Sequence, residues 1–181
     1  MKRVWIVLPL LAACSSPPPA PPAPKEAPAA APLPESKGDG LLRFAPPTGW
    51  VKEEPSNRMR KAQYRVPDKQ KDHKDAEFTV FFFGASPVSV RSNIDRWVVQ
   101  MGADKASPEL VQGAACKVTL VDLSGTYSGD SQTGGPVEGA RMLAAVVETE
   151  QGPWYFKVVG QAETVSDWRE EFVAMLKAAK P

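Results

Sequence analysis

The chain has 181 residues and a formal charge of +1, with 22 Lys and Arg set against 21 Asp and Glu. Near-neutrality offers no electrostatic footprint for nucleic acid, so no nucleic-acid partner is expected. Two cysteines leave no disulfide framework, and a single histidine leaves no imidazole cluster for a metal.

Met1-Lys2-Arg3 is a short cationic start, and Val4 to Ala13 is apolar apart from Pro9. Such a run is too short to span a bilayer as a helix but suits a signal-peptide core. It ends in Leu11-Ala12-Ala13-Cys14, which is similar to the lipobox of bacterial lipoproteins. The resemblance implies cleavage before Cys14, a diacylglyceryl group on its thiol and acylation of the new amino terminus. Two or three acyl chains hold a membrane firmly at ~0.8 kcal/mol per buried methylene, whereas one holds only marginally. An ordinary secretory peptide cut after Ala-x-Ala leaves the placing of Cys14 unexplained. Ser15 stands where an aspartate signals inner-membrane retention in that family. The resemblance therefore implies the periplasmic face of the outer membrane in a diderm source.

Pro17-Pro18-Pro19, Pro21-Pro22 and Pro24 follow among alanines. This composition favours polyproline II, at about 3.1 Å per residue, and reads as a tether rather than as a Pro-rich ligand. The expected organisation is a signal peptide over 1–13, a lipidated N-terminus and linker over 14–40, and a globular domain over 41–181. The last, about 140 residues, is long enough for one sizeable core.

Leu41 to Ala45 is a short extended run, Pro46-Pro47-Thr48-Gly49 is turn chemistry, and Trp50 to Glu53 reads as a strand. Met59 to Val66 alternates, with Arg60, Ala62, Tyr64 and Val66 expected on the core face. Pro67 to Asp75 is a charged loop. Glu77 to Gly84 is apolar on both faces, with Phe78, Val80 and Phe82 opposite Phe81 and Phe83, so it is expected to be central and covered on both sides. The period then changes. Val90, Ile94, Trp97, Val98 and Met101 form a helical stripe over Ser89 to Gly102, with Arg91, Asn93, Asp95 and Gln100 on the remaining surface. Lys117 to Tyr127 returns to a strand, preceded by Cys116 as a small buried hydrophobe. Ser128 to Gly139 is a Gly- and Ser-rich loop. Arg141 to Thr149 and Trp154 to Gly160 are strands joined by Glu150-Gln151-Gly152-Pro153, a hairpin signal. The last helix is expected to start at Thr164, with Asp167 completing a capping box, and to bury Val165, Trp168, Phe172, Met175, Leu176 and Ala179.

Short strand connections favour antiparallel neighbours. The pattern predicts an α+β fold: a mainly antiparallel sheet of six to seven strands with one helix on each face, an α/β/α sandwich. The element order, the opening Phe44-Ala45-Pro46-Pro47-Thr48-Gly49-Trp50, the Asp95-Arg96-Trp97 helix and the closing Tyr155-Phe156-Lys157-Val158 strand resemble the PsbP-like sandwich. That resemblance, over residues 41 to 180, implies a non-enzymatic binding or assembly role and carries no catalytic residue over.

No catalytic residue, cofactor or metal site is expected. Gly129-Asp130-Ser131 is similar to the nucleophile block of GDS-type esterases, but those enzymes keep their histidine downstream, and His73 is upstream. Gly134-Gly135 lacks the Gly-Lys-Ser/Thr ending of a phosphate cradle. Asp72, His73 and Asp75 lack the spacing of a closed metal site. Cys116 has no activating base nearby in sequence. The first functional class is therefore a membrane-anchored lipoprotein that docks an envelope protein. An envelope hydrolase is the second, and small-ligand or lipid capture between sheet and helix is the third, which a pocket there would favour. Binding tends to sit on loops. The expected partner contacts are Lys69, Lys71, Asp72 and Lys74 in the first long loop and Gly134 and Gly135 in the second.

Overall fold

A computed structural model describes residues 36–38, 42–85, 89–129 and 135–181. The signal peptide, Cys14 and the proline runs lie outside the described residues, which all fall within one unit, Ala31–Pro181. Described in chain order are β1 (Ser36–Gly38), β2 (Leu42–Phe44), β3 (Val51–Glu53), β4 (Arg60–Val66), β5 (Ala76–Phe82), α1 (Val90–Met101), β6 (Glu109–Leu110), β7 (Lys117–Tyr127), β8 (Val137–Thr149), β9 (Gly152–Gln161), α2 (Ala162–Asp167) and α3 (Arg169–Ala178).

Seven strands form one sheet in the order β3-β4-β5-β9-β8-β7-β6, with every neighbour antiparallel. β1 and β2 pair separately as a two-stranded ribbon, so strand pairing begins upstream of the domain boundary drawn at residue 41. The chain builds β3-β4-β5 as hairpins and crosses with α1 to the far edge. It then winds back through β7 and β8, so that β9 closes the sheet against β5.

Alternation along the strands feeds two cores. Phe78, Val80, Leu120, Leu143, Phe156 and Val158 point to one face, where Phe172, Met175 and Leu176 of α3 cover them. Val121, Leu123, Met142, Val146, Tyr155 and Val159 point to the other, against Ile94, Trp97 and Met101 of α1. Helices on opposite faces make the α/β/α sandwich that the periodicity predicted. Phe78, fully buried on a central strand, is the hub of the α3-side core. Its ring centroid lies 4.8 Å from Trp50, 5.8 Å from Tyr64, 6.0 Å from Phe156, 6.2 Å from Phe172 and 6.4 Å from Phe44.

α1 has the ends its sequence predicts. The Ser89 hydroxyl accepts the Ser92 N–H at 3.0 Å, and Gly102 ends the helix at φ 58. The helix then leans on β7 so closely that a Cβ on Gly125 would collide with the Met101 carbonyl oxygen.

Three local expectations need correction, and one strand forms where none was expected. A register shift between Arg60 and Ala62 puts Arg60 opposite Phe81, so Arg60 leaves the face of Ala62, Tyr64 and Val66. It remains buried because Nη1 donates to Gln63 Oε1 and Glu77 Oε2, each at 2.8 Å. Asn93 lies on the buried arc of α1, four residues before Trp97. The C-terminal helix is two helices. It starts at Ala162 rather than Thr164, and Trp168, at φ −104 and ψ 5, divides α2 from α3. Thr164 is no cap: its hydroxyl donates to the Lys74 carbonyl at 3.0 Å. Finally, β6 is an edge strand pairing Glu109 and Leu110 with Leu120 and Thr119, in a stretch with no strand pattern of its own.

β2 also receives the end of the chain. The Arg43 N–H donates to the Lys180 carbonyl at 2.7 Å, and the Lys180 N–H donates back at 3.0 Å.

Candidate functional site

The first long loop, 67–75, is built around Asp68, only 6% exposed. Its carboxylate accepts the backbone N–H groups of Asp72 at 2.7 Å, His73 at 2.8 Å and Gln70 at 3.4 Å. The His73 N–H is the largest cause of a carboxyl pKa below the usual range. Asp75 is lowered too, first by accepting the Asp68 N–H at 2.9 Å and then by the Arg65 guanidinium at 2.8 Å. Lys71 turns the chain through the left-handed region at φ 65.

The loop is bolted to the helices beside it. Trp168 Nε1 donates to the Pro67 carbonyl at 2.7 Å. Lys69 Nζ donates to the Asp167 carbonyl at 2.6 Å and to Glu171 at 2.7 Å, and lies 4.1 Å from the centroid of the Trp168 ring. The ammonium holds the Glu171 carboxyl below its ordinary range. The Lys74 N–H donates to Gln161 Oε1 at 2.8 Å. Lys69 is thus engaged in the scaffold, while Lys71, Asp72 and Lys74 are exposed. His73 Nδ1 lies 3.6 Å from Asp68 Oδ2, and no group of three or more metal-type side chains occurs among the described residues.

Of the second loop, Gly134, Asp130 and Ser131 lie outside the described residues. Gly135 is exposed at φ 124, a conformation that favours glycine. Immediately after it, Pro136, Val137 and Glu138 line an open cleft of about 440 Å³ whose other wall carries Lys74, Asp75 and Glu77. The two long loops are far apart in sequence, yet the chain returns both to one end of the sheet. Asp75 and Glu77 are ion-paired with Arg65 and Arg60, and Lys74 and Glu138 are exposed charges on the two rims. Tyr127 forms part of the floor, and its hydroxyl takes the Lys157 ammonium at 2.9 Å.

A second, smaller cavity of about 190 Å³ opens on the same sheet face, between α1 and the β5–β9 pair. Lys157, which bonds Tyr127 of the cleft, lines this cavity. Three atoms at this site, Asn93 Nδ2, Gln100 Oε1 and Tyr155 Oη, are buried without a hydrogen-bond partner among the described residues. Burial raises the Tyr155 pKa above its ordinary value, with Arg96 drawing it partly back. These residues come from β5, α1 and β9 and share no motif. The one signal in the sequence was Asn93, a polar side chain in line with Trp97 on the helix.

Cys116 is half-buried against the α3-side core, and burial pushes its thiol pKa up, away from a reactive thiolate. No helix among the described residues is long and apolar enough to cross a membrane.

No family model matches the chain, and neither does any curated protein sequence. Among solved structures it is similar to a Pseudomonas aeruginosa protein of unknown function, at TM-score 0.44 and 10% identity over 77% of this chain and 90% of that one. It is also similar to the cyanobacterial PsbP protein, CyanoP, of Synechocystis sp. PCC 6803. Here the TM-score is 0.50 and the identity 11%, over 78% of this chain and 87% of the other. At that identity the likeness speaks for architecture alone: the described domain has the PsbP-like α+β fold, an antiparallel seven-stranded sheet with helices packed on it.

Proposed function

We propose that the chain is a lipid-anchored protein of the bacterial cell envelope whose domain is a non-catalytic module that docks another envelope protein. The lipobox-like Leu11-Ala12-Ala13-Cys14 supports the anchor, and Ser15 supports the periplasmic face of the outer membrane. The observation that carries the docking role is the meeting of Lys74 and Asp75 with Pro136, Val137 and Glu138 around one cleft. Contacts on stiff loops lose little conformational entropy on binding, and the Asp68-centred loop is held from both sides. Exposed Lys74 and Glu138 set the register of a partner by charge, which favours specificity and on-rate over raw affinity.

Two measurements test this reading. Replacing Cys14 by alanine should abolish incorporation of labelled fatty acid and release the protein from membranes; unchanged labelling and partitioning refute the anchor. For the cleft, a photo-crosslinking side chain is placed at Glu138 and, as a control, at Val99, which is 75% exposed on the outer side of α1. A discrete adduct with one envelope protein is expected from position 138 and none from 99. Identical adducts from both positions, or none from either, refute the docking site.

A further inference from the structure

We propose that the cavity between α1 and the β5–β9 pair binds a small planar aromatic carboxylate. Its volume, about 190 Å³, is near the ~150 Å³ that accommodates benzene in an engineered protein cavity. It falls short of the roughly 300–1,000 Å³ of drug-sized or nucleotide sites. One ring with one small substituent therefore fits.

The walls are aromatic and set at angles. The Phe81 and Phe83 rings stack at 24° with centroids 6.2 Å apart, and Tyr155 tilts 46° from Phe83 at 6.1 Å. Trp97 meets Tyr155 edge-on at 79° and 6.4 Å. Ring faces and edges presented together suit a flat aromatic guest. Phe83 and Met59 stand half-exposed or more at the mouth, giving the guest apolar surface to cover.

Charge decides the sign of the guest. Aromatic boxes also take organic cations, but a cation here would meet Arg96 and Lys157 with no carboxylate among the lining residues. An anion meets the opposite situation, because Arg96 makes no ion pair among the described residues. Asn93 and Tyr155 are 6% and 3% exposed, and each carries an unpartnered buried polar atom at the cavity. Such atoms are costly to leave unpaired, and a carboxylate accepts from both an amide N–H and a phenol O–H.

The test uses the full chain, with benzoate as the probe and benzylammonium as its cationic counterpart, in ligand-observed NMR titrations. Benzoate is expected to saturate in the millimolar range or below, with benzylammonium at least tenfold weaker. Arg96 is exposed, so Arg96→Gln should unfold at the parent temperature while binding benzoate about tenfold more weakly, as loss of a charge-assisted contact implies. Asn93→Leu removes the buried amide and should weaken benzoate similarly. Absence of saturable benzoate binding overturns the proposal. So does benzylammonium binding as tightly as benzoate, or Arg96→Gln leaving benzoate affinity at the parent value.

Discussion

Replacing Phe78 by alanine removes the ring around which the α3-side core is arranged. The side chain is fully buried, so truncation forfeits its transfer free energy and leaves a cavity; buried Phe→Ala changes cost about 3–5 kcal/mol. Five neighbouring rings surround it, and each aromatic pair adds about 0.5–1.5 kcal/mol without strict additivity. The expected loss is therefore at the upper end, about 4–5 kcal/mol. Against a typical domain stability of about 5–15 kcal/mol, the variant stays folded at 25 °C only if the parent lies above the lower bound. With a urea slope of about 2 kcal/mol/M, the midpoint falls by roughly 2 M at unchanged slope. Equilibrium urea unfolding followed by far-UV circular dichroism measures it. Phe83→Ala, at a side chain 50% exposed, is the control and should lose about 1 kcal/mol or less. A Phe78→Ala loss under about 1.5 kcal/mol, or one equal to that of Phe83→Ala, refutes the packing argument.

Gly125→Ala should cost about 1–3 kcal/mol, because the new methyl meets the Met101 carbonyl of α1 and the helix must lift from β7; a thermal melt matching the parent's contradicts the close approach. Asp68, Asp75, Asp122 and Glu171 all have carboxyl pKa values lowered by their partners. Their contribution is fully present above the unfolded carboxyl range of about 4 and is lost as pH falls through the lower folded values. The urea midpoint should hold from pH 7 to about 5 and decline below about 4. Asp122→Asn, which breaks the paired contacts with Arg141 at 2.8 and 2.6 Å, should flatten part of that decline. A midpoint constant down to pH 2 contradicts the assignment.

Much of the fold was legible because the hydrophobic period changes cleanly. Val90, Ile94, Trp97 and Met101 cannot be read as a strand, and Phe78, Val80 and Phe82 cannot be read as a helix. The Ser89 and Gly102 ends of α1 were legible from residue type. What escaped was geometry without a compositional trace. The bulge that turns Arg60 to the other face adds a residue to a strand whose alternation is otherwise intact. The break at Trp168 is hidden because Val165, Trp168 and Phe172 keep helical spacing on either side of it. The C-terminal helix starts before Thr164, whose hydroxyl is committed to the distant Lys74 carbonyl, a contact that no local pattern foretells. Both long loops stood out by length and composition. That the first is a closed turn on Asp68 was not legible, since charge composition reads the same in a solvated loop. The α1-side cavity was invisible for another reason: its lining is assembled from three elements by the closing of β9 on β5.

The backbone exchange between Arg43 and Lys180 makes the entry and exit of the domain a single joint. Leu42 and Phe44 are sealed beneath it, with Ala179 buried alongside. Peeling β2 and stripping Lys180 are therefore a single event. The chain is also suited to circular permutation. A short linker across the joint, with new termini at the Glu150-Gln151 turn between β8 and β9, keeps every strand neighbour while moving the point of attachment to the opposite end of a hairpin. Tension applied through residues ahead of β1 would strip the β1–β2 ribbon and then this clasp with its two hydrogen bonds, before reaching the seven-stranded sheet.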